Sequence, residues 1–143
     1  MVVEKMRMED IPQVQALHWS LAPFGREREE AEELYSLMEK DQDYLLLVAR
    51  EGDRVLGTIT GVCCHALSAN FLAIEDFVVL EECRGQGIGG RLMAGLDEFA
   101  AERNCLYGIL VSSGFRLDAH RFYENHGFTE QVRGFRKGYQ EHE

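Results

Sequence analysis

The stretch Ile74-Glu75-Asp76-Phe77-Val78-Val79-Leu80-Glu81-Glu82-Cys83-Arg84-Gly85-Gln86-Gly87-Ile88-Gly89-Gly90 decides how this chain is read. Its first part closes an apolar run, Phe71 to Leu80, with the length and β-branched content of a strand. A charged bend follows, with glycine at alternate positions 85, 87 and 89. From Ile88 the period becomes helical, carried by Leu92, Leu96 and Phe99. A strand that passes through such a bend into a helix gathers bare backbone N–H groups and the positive end of a helix dipole at one point. Phosphate is the ligand that arrangement suits; the alternative is a tight turn that needs glycine for its geometry alone.

Working outward, Val55 to Cys64 answers Tyr44 to Arg50 across the turn Glu51-Gly52-Asp53-Arg54, an antiparallel hairpin. A loop at His65 to Asn70 leads on to the strand of the bend. Upstream, Val2 to Met8 reads as a short strand. Asp10 as a capping side chain, with Pro12 in the first turn, opens a helix that Pro23 and Gly25 stop. A second helix runs from about Glu27 to Lys40, with Ala31, Leu34, Leu37 and Met38 as its stripe and five glutamates in its first turns. Downstream, Asn104 ends the long helix and Leu106 to Val111 is a strand. Leu117 to His126 is a helix closed by Gly127 in a left-handed cap, and Val132 to Tyr139 is a last strand. The order predicts an α/β (α+β) protein in one domain, residues 1–143. Its mixed sheet, antiparallel first and crossover-connected later, has about six or seven strands flanked by about four helices.

Composition agrees with a globular chain: 143 residues, 45% hydrophobic and 28% charged, with 14 glycines and 2 prolines. The net charge of -10 argues against nucleic acid, which needs clustered Lys and Arg, and suits cationic partners such as amines. Val55 to Ile74 lacks charge but is too polar to span a bilayer, and the charged first ten residues exclude a secretory core, so a cytoplasmic protein without a membrane role is expected. Cys63, Cys64, Cys83 and Cys105 show no C-x-x-C spacing and read as reduced core thiols. His120 and His126 are too far apart to share a helix face, and no metal is expected.

Gly85 to Gly90 satisfies G-x-G-x-x-G, but a dinucleotide fingerprint belongs to a parallel βαβ unit, and here a hairpin and meander precede the bend. No Lys-Ser or Lys-Thr follows the glycines, so a P-loop is excluded.

Arg84, Gly87 and Gly89 fill a Q/R-x-x-G-x-G/A pattern, and Ala119-His120-Arg121-Phe122-Tyr123-Glu124-Asn125-His126-Gly127-Phe128 fits A-x-x-F-Y-x-x-x-G-F. With one helix and one strand between them, the two motifs resemble the GCN5-related N-acetyltransferases (GNAT), and the resemblance covers nearly the whole chain. It implies acetyl-coenzyme A as co-substrate and direct transfer to a primary amine of a small molecule, such as a polyamine or amino sugar. A protein N-terminus or lysine as acceptor, or an acyl-coenzyme A sensor without turnover, is the alternative. The resemblance makes Glu75 the base that deprotonates the amine, with Asp76 on the opposite face of a regular strand; a bulge would change that assignment. It makes Tyr123 the donor that helps the thiolate leave. Phe77, Val78 and Val79 become the edge that pairs the pantetheine amides, with an N–H near Val78 on the oxyanion. Arg84, Gly85, Gln86, Gly87, Ile88, Gly89 and Gly90 become the pyrophosphate cradle. Arg91 stands either on a phosphate or in solvent, and Trp19 either in the acceptor pocket or in the core. The family often places Asn seven residues before the tyrosine; here Arg116 stands there, with Ser112 or Ser113 as substitutes. Homodimers are also common in that family.

Overall fold

The computed structural model describes residues 1–111 and 117–140. The elements are β1 (Val2–Lys5), α1 (Ile11–Leu21), α2 (Arg28–Met38), β2 (Tyr44–Glu51), β3 (Arg54–His65), β4 (Asn70–Val79), α3 (Ile88–Glu102), β5 (Cys105–Ile109) and α4 (Leu117–Asn125). Two compact units divide the chain, Met1–Ile109 and Leu110–Glu143.

In the first unit the five strands form one sheet in sequence order. β1 to β4 are antiparallel neighbours, and β5 joins β4 in parallel after the α3 crossover. Gly52, at φ +60, makes the two-residue turn between β2 and β3 that the hairpin reading requires.

Each face of the sheet is covered by helix. Ile88, Leu92, Met93, Leu96 and Phe99 bury the whole inner stripe of α3. Close approach is set by glycine: a Cβ at Gly61 would stand 2.7 Å from Leu96, and one at Gly95 2.6 Å from Leu47. On the other face Ile11, Val14 and Leu17 of α1 pack with Met6, Val48, Val55 and Val78, and Ala31 and Tyr35 of α2 lean on that cluster. Leu37, expected in the α2 stripe, instead points outward and is 70% exposed.

Asp10 occupies the N-cap position of α1 as expected, but its side chain makes no capping bond to that helix and is almost fully buried beside this cluster. Its carboxylate accepts two bonds from the Arg50 guanidinium (2.8 and 2.6 Å) and one from the Arg7 N–H (2.8 Å). Arg50 Nε also donates to Glu4 at 2.6 Å. Burial alone would raise the Asp10 pKa, but these donors hold it below the usual carboxylate value.

The sheet has five strands among the described residues, fewer than the six or seven expected. Val132–Tyr139 is the difference: it forms no ladder, and Phe135 and Tyr139 are almost fully exposed. β-favouring residue types alone do not make a strand.

Candidate active site

β4 leads through a short 3-10 turn, Glu81–Cys83, into the glycine bend. Gly85 and Gly87 have φ of +81 and +80, the left-handed region that favours glycine. No protein atom lies within 4 Å of where a Cβ would stand on either residue, so backbone conformation, not packing, demands glycine there. Gly87 is the N-cap of α3, and the Arg91 N–H is the one bonded back to its carbonyl, at 3.2 Å. The first-turn N–H groups of Ile88, Gly89 and Gly90 therefore lack helical acceptors. Ile88, 3% exposed, pins the bend to the core. Arg84 lies back on the strand, its Nε 3.3 Å from Val79 O. Arg91 instead reaches the chain start, donating to Met1 O at 3.2 Å.

Upstream, β4 carries an irregularity. Thr58 pairs with Val78 and Thr60 with Glu75, so three steps on β4 face two on β3. Asp76 takes up the extra residue at φ +51, a conformation that a short polar side chain tolerates. The added residue switches side-chain parity. Leu72 meets Gly61 on the α3 face, whereas Val78, six residues on, lies in the α1 cluster. Glu75 and Asp76 consequently stand together at the bulge instead of on the opposed faces of a regular strand.

Leu80 N–H donates to Leu56 O at 2.8 Å, and in a regular strand Val78 addresses β3 as Leu80 does. Val79 turns its backbone the other way, where its carbonyl meets Arg84. β5 follows β4 only from Asn70↔Cys105 to Ala73↔Ile109. The remainder of β4, including Phe77, Val78 and Val79, runs on without β5 beside it.

Burial and the neighbouring negative charge of Asp76 raise the Glu75 pKa above the ordinary glutamate value. Sequence reasoning missed His18 on α1. Its Nε2 is buried without a hydrogen-bond partner among the described residues. Burial lowers its pKa while the Asp76 charge pulls the other way, so a largely neutral imidazole stands near the bulge. The amphipathic pattern of α1 gave no hint of it, because a half-buried histidine looks like any flank residue of such a stripe. Trp19, next to it, is 59% exposed and is not core.

In the second unit, half-buried Tyr123 sits on α4 between Phe122 and Phe128, both in edge-on ring contact. Gly127, at φ +94, closes the helix as expected. Ser112, Ser113 and Arg116 lie outside the described residues.

The model of the Acetyltransferase (GNAT) family matches residues 11–128, across both units, and the chain belongs to that family. It is 36% identical over 93 residues to aminoalkylphosphonate N-acetyltransferase of Salmonella typhimurium, covering 64% of this chain and 60% of that one. It is 33% identical over 92 residues to acetyltransferase Atu2258 of Agrobacterium fabrum, covering 64% of each. The chain thus spans 60% and 64% of the length of these curated relatives. Glucosamine-6-phosphate N-acetyltransferase from Arabidopsis thaliana shares the fold at a TM-score of 0.85, with 20% identity over 97% of this chain and 98% of that one. Among the described residues no helix is long and apolar enough to cross a membrane.

Proposed function

We propose that the protein is an acetyl-coenzyme A-dependent N-acetyltransferase acting on a primary amine of a small molecule. The observation that carries this reading is the left-handed Gly85-Gln86-Gly87 bend, open at both Cβ positions and feeding the start of α3. Such a bend fits a diphosphate, whose charge the N–H groups of Ile88, Gly89 and Gly90 complement. Arg84, Gln86 and the flanking glycines complete the cradle. The length of β4 beyond Ala73 pairs the pantetheine amides as an added strand would, with the outward backbone of Val79 and Phe77, while Val78 between them turns its own backbone to β3.

The thioester, when bound, supplies the activated acyl carbon. Everything else falls to side chains of this protein. Glu75 takes the proton from the ammonium form of the acceptor, and its raised pKa brings it closer to that task near neutral pH. The uncharged His18 ring near Asp76 limits repulsion of a cationic amine. Tyr123 donates its hydroxyl proton toward the departing sulfur. The acid run of Glu27, Glu29, Glu30, Glu32 and Glu33 on and before α2 favours a cationic acceptor over an anionic one. A relative named for aminoalkylphosphonates supports a small amine but not the same charge.

Calorimetry with coenzyme A, followed by thiol release with a panel holding both polyamines and aminoalkylphosphonates, tests the proposal. Glu75→Gln lowers kcat/KM about 10²–10⁴-fold and leaves coenzyme A affinity unchanged. Tyr123→Phe slows turnover with affinity intact. Absence of coenzyme A binding refutes the reading outright.

A further inference from the structure

The far end of the sheet gathers side chains that the transfer reaction does not use. Asp43, just before β2, and Cys63 and His65, at the close of β3, bring a carboxylate oxygen, a thiol sulfur and an imidazole nitrogen within 4.8 Å of one another. The backbone ties them: the Cys63 N–H donates to Asp43 O at 2.7 Å. Cys105, which opens β5, places its sulfur 3.8 Å from that of Cys63.

We propose that Asp43, Cys63 and His65 supply three protein donors to a zinc-class divalent ion, whose fourth position is filled from solvent. Three features carry it. A thiolate, an imidazole and a carboxylate are a donor set matched to zinc. The imidazole is oriented for ligation by its outer partner. Asn70 Nδ2 donates to Arg103 O at 3.1 Å, which turns Asn70 Oδ1 onto His65 Nδ1 at 2.8 Å. Nδ1 therefore carries a proton, and Nε2 is the nitrogen aimed at Asp43 Oδ1, 3.0 Å away. A lone pair and a carboxylate at that distance need a cation between them: a proton in the free protein, the metal in the loaded one. Ring and carboxylate are open to solvent while Cys63 is buried, so an ion has an entry side and a dry floor.

Binding releases the Cys63 thiol proton and the Nε2 proton of His65 to solvent; no electron moves. The residues are scattered over the sequence, which is why spacing gave no metal motif. The β2–β3 pairing Tyr44↔Val62 and the β3–β4 pairing His65↔Asn70 assemble them.

Cobalt(II) titration of the reduced full-length chain tests the site. One equivalent binds with a thiolate charge-transfer band in the near ultraviolet and tetrahedral d–d absorption, and zinc displaces it. His65→Ala, at an exposed ring, and Cys63→Ser abolish the band. Asn70→Ala, which removes only the outer partner, weakens zinc in a chelator competition about 10–100-fold. No thiolate band with the wild-type chain, or a band that survives both His65→Ala and Cys63→Ser, overturns the proposal. Coenzyme A binding in the same preparations separates this outcome from any failure of the transferase reading.

Discussion

Replacing Gly87 with alanine separates backbone strain from steric exclusion. The site of the new methyl is open, with nothing within 4 Å, so no clash contributes. The cost is conformational: holding an L-residue at φ +80 disfavours the native bend by about 1–2 kcal/mol. If the bend relaxes to escape it, the fraction in the binding geometry falls by about 5–30-fold, and coenzyme A affinity falls with it. Gly87→Asn, whose side chain tolerates the left-handed region, loses less. Gly87→Asp adds a carboxylate beside the proposed diphosphate position; a unit charge at about 5 Å in an effective dielectric of about 20 contributes about 3 kcal/mol of repulsion before salt screening. The order of affinities by calorimetry is therefore wild type, Asn, Ala, Asp, and the Asp penalty shrinks as salt rises. Alanine binding as tightly as wild type, or Asp matching Asn at every salt concentration, would refute the assignment of this bend to a phosphate.

Asp76→Asn removes the like charge beside Glu75, so the Glu75 pKa falls and the acid limb of the kcat/KM profile moves to lower pH; an unmoved limb separates Glu75 from the titrating base. Arg50→Met leaves the buried Asp10 carboxylate without its main partner and lowers stability by about 3–5 kcal/mol in urea unfolding. In the wild type the Asp10 contribution is fully present above the unfolded carboxylate pKa of about 3.9 and is lost as pH falls through the lower native value, which acid titration of stability follows. Gly61→Ala pushes a methyl to 2.7 Å from Leu96 and costs about 1–3 kcal/mol by the same assay, with coenzyme A affinity unchanged; a neutral effect would mean that α3 stands off the sheet.

What the residues announced and what they concealed divide along physical lines. Gly85 and Gly87 were legible because one residue type fits a positive φ, and Gly127 and the Gly52 turn were legible for the same reason. The bulge at Asp76 was not located by periodicity. β4 is apolar on both faces around it, so a parity switch between Leu72 and Val78 leaves no trace in the pattern. Val132–Tyr139 holds β-favouring Val, Phe and Tyr, but it also carries two glycines and pairs with no strand among the described residues. His18 and the Asp43–Cys63–His65 group share that opacity, since each depends on which neighbours the register supplies.

The early parting of β5 from β4 has a consequence for inhibition. Ligands that mimic an extended amide ribbon, with donors and acceptors repeating at strand spacing, compete for that edge without resembling a nucleotide. Their selectivity among related transferases would come from the bulge, because Glu75 and Asp76 side by side reward a cationic head group positioned one residue past the ribbon's end.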